Sequence, residues 1–135
     1  MTLHISWHTP NRIVLERFSG DVTYDDIRQA DRGGRELIGA GDAPVHILVD
    51  LRDVARFPTN ILKISQQVEH RNHPDLGWAV IISNHGMIQF IVRLVTEFAG
   101  NRIRMFTTMD EALDFLLAMD DGLTELLSVE EVMLK

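Results

Sequence analysis

The chain has 135 residues, a length suited to one domain that buries roughly two-thirds of the surface its unfolded form exposes. It contains no cysteine, which excludes disulfides, thiolate nucleophiles and sulfur-ligated metal centres and fits a reducing compartment, so a cytoplasmic location is expected. A formal net charge of −7 opposes binding to nucleic acid or anionic membranes, since both depend on a Lys/Arg field. The alternation over Met1 to Trp7 is not that of a signal peptide, and no apolar run approaches the roughly 20 residues that would cross a bilayer.

Leu3, Ile5 and Trp7 alternate with Thr2, His4 and Ser6, the period of a half-buried strand. Thr9-Pro10-Asn11 supplies turn chemistry, and Arg12–Phe18 forms the second arm of an antiparallel hairpin that Ser19-Gly20 ends. Thr23 opens the first helix, with Asp26 placed to accept from the free N–H groups of its first turn. Tyr24, Ile27, Gly34, Leu37 and Ile38 share a stripe, and Gly39 and Gly41 close it. Gly33-Gly34 weakens the helix by about 1 kcal/mol per glycine, and close packing on a sheet or a helix irregularity explains the pair better than close approach to a ligand.

Val45–Leu51 holds the nearly continuous apolar run of a strand covered on both faces. Beyond Phe57-Pro58-Thr59, a second helix is expected over about Asn60–His70, with Ile61, Ile64, Ser65 and Val68 at helical spacing. Trp78–Ile82 reads as a central parallel strand. Met87, Ile88, Ile91, Leu94, Val95 and Phe98 mark one face of a third helix, and Gly100 stands where a C-terminal cap belongs. Arg102–Phe106 reads as a sheet-edge strand, and Thr108 with Glu111 has capping-box spacing ahead of Ala112, Leu113, Leu116 and Leu117. After Gly122, the residues Leu126, Val129, Val132 and Met133 outline one more short helix.

The element order predicts an α/β domain with a mixed sheet of about five strands. An N-terminal antiparallel hairpin leads into parallel strands, covered by about four helices plus a short C-terminal helix. Residues 1–121 form the domain, and 122–135 form an extension packed on it or at a subunit interface. Self-association as a homodimer, through the third helix or this extension, is the expectation, because Phe90 widens the apolar stripe of the third helix and the tail has no evident partner.

That order, together with Val45-His46-Ile47-Leu48-Val49-Asp50-Leu51, Arg104-Met105-Phe106 and Asp110-Glu111-Ala112-Leu113, resembles the STAS family over about Thr2 to Met119. The likeness is to the bacterial anti-sigma-factor antagonist branch, often grouped with CRAL-TRIO-type lipid-binding domains. It implies a regulatory module that docks on a kinase-like partner or sigma regulator. It also implies a strand-end aspartate, matched by Asp50, and a phosphoacceptor at the start of the next helix, to which Thr59 lies nearest. The Asp-Ser-Ser-Gly neighbourhood of that branch is absent, Phe57-Pro58-Thr59-Asn60 stands in its place, and stoichiometric phosphorylation of Thr59 is not expected.

Ligands of open parallel sheets bind beyond the carboxyl ends of the strands. Asp50, Arg52, Phe57, Thr59, Asn60, Asn84 and His85 are therefore the candidate partner- or ligand-binding residues. The structural alternative is that Thr59 or Asn60 and Asn84 cap helices and that Asp50 fixes a turn. His70 and His73 have i,i+3 spacing, but Pro74 follows at once, so a solvated loop is favoured over a metal site. No nucleophile elbow or phosphate loop is present, and no cofactor is expected. The function expected is a non-enzymatic interaction module; the alternative is a carrier or sensor of a small apolar ligand or lipid, and an enzyme using Asp50 with His85 is a remote third.

Overall fold

The computed structural model describes residues 2–68, 73–99 and 102–124. Strands β1 (Leu3–Thr9) and β2 (Ile13–Asp21) pair antiparallel across a tight turn. Pro10 and Asn11 are its central residues: Asn11 takes φ 67, and the Arg12 N–H donates to the Thr9 carbonyl at 3.0 Å. Helix α1 (Tyr24–Ala40) starts at the expected reciprocal cap, with Thr23 Oγ1 accepting from the Asp26 N–H and the Asp26 carboxylate from the Thr23 N–H. Strand β3 (Val45–Arg56), helix α2 (Ile61–Gln67), strand β4 (Leu76–Ile82), helix α3 (Gly86–Ala99), strand β5 (Ile103–Phe106) and helix α4 (Met109–Met119) follow. A helical turn at 121–124 comes next.

The sheet runs β1-β2-β3-β4-β5, with every pair after the first parallel. Each crossover steps one strand in the same direction, so right-handed connections place α1, α2 and α3 together on one face. Helix α4 follows the last strand and lies on the other, against β4 and β5. Alternation along the strands divides the core accordingly. Phe18, Leu51, Ile27, Ile64, Ile88 and Ile91 pack on the three-helix side, while Ile13, Leu15, Leu48, Val80, Ile82 and Leu116 pack under α4. Leu123, from the expected extension, is fully buried in that second cluster; residues 125–135 lie outside the described part of the chain.

Three local readings are corrected. β3 runs five residues past Leu51. Its register against β2 slips between Arg17 and Ser19, and the Asp50 carboxylate accepts the Arg52 N–H at 3.1 Å, so a side chain carries the strand through an irregular step. α2 stops at Gln67, short of the expected His70. In α3, Ile88, Ile91 and Val92 turn inward, whereas Met87 faces out, because the buried stripe is rotated toward Val92. Gly33 and Gly34 serve close packing: a Cβ on Gly33 would lie 2.5 Å from Ile5 Cδ1, and one on Gly34 would lie 2.5 Å from Glu16 Oε2.

Candidate functional site

The expected site residues all fall at the carboxyl edge of the sheet, but they divide into supports and surface. Asp50 is a support. It is buried, opposite Arg17 on β2 and Ile82 on β4, and its two oxygens take a forked pair of hydrogen bonds from Arg52 Nε and Nη2 at 3.0 and 2.9 Å, with Arg17 Nε 3.5 Å away. Burial alone would raise its pKa, yet the Arg52 bonds and the Arg17 charge hold the carboxyl below its ordinary value. Arg52 is the exposed member of the pair.

Asn60 caps α2 by accepting the Lys63 N–H at 3.0 Å, and its own N–H donates to the Tyr24 hydroxyl at 3.3 Å. Thr59 is exposed one position earlier, and Phe57 turns partly inward against the three-helix core. Asn84 and His85 are exposed ahead of α3. The buried Ser83, absent from the expected set, organises that start: its Oγ accepts the His85 N–H at 3.2 Å, and its carbonyl accepts from Gln89 Nε2 at 2.7 Å. Asp50 is engaged by Arg52 and Arg17, and His85 stands exposed before α3. Among the described residues no three His, Asp or Glu side chains gather as metal ligands, and His70 lies outside them.

His46 and Glu16 are two further buried polar residues outside the expected set. The first is His46 on β3, which faces α4. Its Nδ1 accepts the Trp78 N–H at 2.9 Å, which leaves Nε2 to carry the proton and donate to Asp120 Oδ2 at 2.8 Å. Asp120 also pairs with Arg12, accepts the Gly122 N–H at 3.1 Å and closes α4 through its own N–H to the Leu116 carbonyl. One carboxylate thus ties the end of α4 to β3 and to the β1–β2 hairpin. Burial pushes the His46 pKa below 6.5 against the pull of Asp120. The clamp needs a bare backbone at Gly77, where a Cβ would collide with the His46 ring. Gly77→Ala is therefore expected to cost about 1–3 kcal/mol in urea unfolding, and much less when His46 is already alanine. Equal cost in both backgrounds would contradict this packing.

The second is Glu16 on β2, 2% exposed on the three-helix side. It stands at the wall of a cavity of about 100 Å³ between the sheet and α1–α3, lined otherwise almost entirely by apolar side chains such as Phe18, Leu51, Ile64, Ala79 and Val92. Its Oε2 has no hydrogen-bond partner. Burial first, and the charge of Asp31 second, raise its pKa well above 4.5. A signal existed for both residues: Glu16 falls between Val14 and Phe18 at strand spacing, and His46 lies inside an apolar run.

A five-stranded mixed sheet with three helices on one face, one on the other, and polar loops at its carboxyl edge defines the class of small α/β domains built like the anti-sigma-factor antagonists. The chain belongs to the SpoIIAA-like family, whose model matches residues 13–117. Among solved structures, it is similar to the anti-sigma factor antagonist SpoIIAA in its unphosphorylated form, with a TM-score of 0.60 at 11% identity over 86% of this chain and 96% of that one. It is also similar to an uncharacterized protein of the DUF3478 family with a SpoIIAA-like fold from Shewanella loihica PV-4, with a TM-score of 0.59 at 15% identity over 84% of this chain and 91% of the other. No curated protein matches the sequence. No helix among the described residues is long and apolar enough to cross a membrane.

Proposed function

We propose that the chain is a non-enzymatic regulatory module that docks a protein partner, of the kinase-like or sigma-regulator kind, at the carboxyl edge of its sheet. One observation carries the reading. Leu62 in the first turn of α2 and Met87 and Phe90 in the first turns of α3 are 63%, 61% and 57% exposed, and both helix starts follow the carboxyl ends of their strands, as the loop from Phe57 to Asn60 does. Large apolar side chains grouped at one edge of a domain favour an interface over solvent. The name of the similar SpoIIAA, an anti-sigma factor antagonist, supports a partner of that kind. Arg52, Thr59, Asn84 and His85 supply the polar rim.

Phe90→Glu combined with Leu62→Asp is expected to abolish co-purification of the partner from the native host while shifting stability by about 0.5 kcal/mol or less per site, as exposed substitutions do. Retention of the partner by this variant would refute the surface. A second copy of the chain is the competing occupant of the same patch, and sedimentation of the full chain distinguishes a homodimer from a heterologous complex. A second reading, carriage of a small apolar ligand, draws on the cavity beside Glu16.

A further inference from the structure

Glu16 is a costly residue to keep where it stands. An unsatisfied buried polar group costs about 1–3 kcal/mol, and a hydrocarbon side chain would fill the same place without that penalty. The other polar side chains among the described lining residues, Asp31 and Thr96, are already engaged. Asp31, 2% exposed, has Oδ2 3.0 Å from Arg35 Nε, and the Thr96 hydroxyl donates to the Val92 carbonyl at 2.7 Å. Only the Glu16 carboxyl presents an oxygen without a hydrogen-bond partner among the described residues of that wall. Gly34 leaves it room, since a side chain there would press on Oε2.

The cover over the cavity is also incomplete. Val49 and Ile81 point from the central strands toward the helices, yet both are only half-buried. Among the described lining residues, the space is apolar on nearly all sides, with the two carboxyls of Glu16 and Asp31 at one end. Among the described lining residues, the ionisable groups are Glu16 from β2 and Asp31 from α1, with Arg35 of α1 set against Asp31; those of β3, β4, β5, α2 and α3 supply none. A carboxylate or phosphate head would meet two acids there. An ammonium head would meet complementary charge.

We infer that this cavity binds a small primary amine with an apolar body, the body lying between the sheet and α1–α3 and the nitrogen held by the Glu16 carboxyl. The inference rests on the ligand-carrying reading and adds to it the chemistry of the head group. The volume suits a short chain, because a cavity of about 150 Å³ holds a molecule the size of benzene. The amine enters as its ammonium ion, any proton on the Glu16 carboxyl passes to solvent, and a neutral ion pair remains inside. Affinity for the amine therefore rises with pH until Glu16 is ionised in the free protein.

The test compares n-butylamine, butanol and butanoate, which share an apolar body, by amide NMR titration of the isotope-labelled full chain. Butylamine is expected to bind about tenfold or more tightly than the other two, the increment of a charge-assisted hydrogen bond. Glu16→Gln should remove that preference without weakening butanol, and Ala79→Leu, which fills the cavity from β4, should weaken both. Carbon NMR should show the Glu16 carboxyl ionising as amine is added. Butanol or butanoate binding as well as the amine, or unchanged amine affinity in Glu16→Gln, overturns the amine assignment and leaves the carrier reading standing. Absence of binding by all three probes overturns both.

Discussion

Alanine in place of His46 is expected to lower the stability of the domain by about 2–4 kcal/mol, the combined scale of a stranded buried donor and a vacated ring site. The Trp78 N–H loses its acceptor and Asp120 loses its donor, so α4 is released from β3 at its carboxyl end. The same group has a pH signature. The folded pKa of His46 lies below 6.5, so under acid conditions the unfolded chain binds the extra proton and the folded chain does not. Its stabilising contribution is complete above that value and is lost as pH falls through and below it. The geometry gives the cause, for a doubly protonated ring has no lone pair on Nδ1 to accept from Trp78. Urea midpoints measured across mildly acidic pH should fall more steeply for the wild type than for His46→Ala. Parallel profiles would contradict the neutral-ring assignment.

Glu16→Gln is expected to act in the opposite direction. The folded pKa of Glu16 is raised well above 4.5, so above that value the folded chain holds a proton that the unfolded chain gives up. Its contribution is therefore favourable in acid and is lost as pH rises toward the folded pKa, at about 1.4 kcal/mol per pH unit for one proton. Glutamine carries no such proton. The variant should be more stable than wild type at neutral pH, and the gap should close toward pH 4.5. A variant less stable at neutral pH would show that the carboxyl has a stabilising partner. The cost explains why Glu16 points to a ligand and not to architecture.

Much of the fold was legible because local chemistry and burial agreed. Thr23 and Asp26 announced α1, Pro10 and Asn11 announced the hairpin turn, and the apolar runs at Val45 and Trp78 marked strands covered on both faces. The misreadings arose where a side chain substituted for backbone pattern or where periodicity admitted two answers. β3 extends past its apolar run because Asp50, accepting the Arg52 N–H, carries the strand through an irregular step that the charged Arg52, Asp53 and Arg56 do not show in sequence. Met87 fits the stripe of α3 as well as Val92 does, and the sheet selects Val92.

The candidate site was legible in place but not in role. Beyond the carboxyl ends of β3 and β4, the sequence pointed to polar residues. It did not distinguish Asp50, consumed by Arg52 and Arg17, from Arg52 and His85, which face solvent. Exposure of Leu62 and Phe90 depends on how α2 and α3 lie across the sheet, which no pattern of one helix reveals. Glu16 and His46 were passed over because a charged or polar residue in a strand is read as facing water, although spacing placed both inward.

The docking surface is tested most directly by photo-crosslinking in the native host, with a photoreactive amino acid placed at Phe90 on α3 or, as a control, at the exposed Asp114 on α4 across the sheet. The account predicts a discrete crosslinked regulator from position 90, lost when Leu62→Asp is added, and none from position 114. Capture of the same protein from position 114 with nothing from position 90 would contradict it.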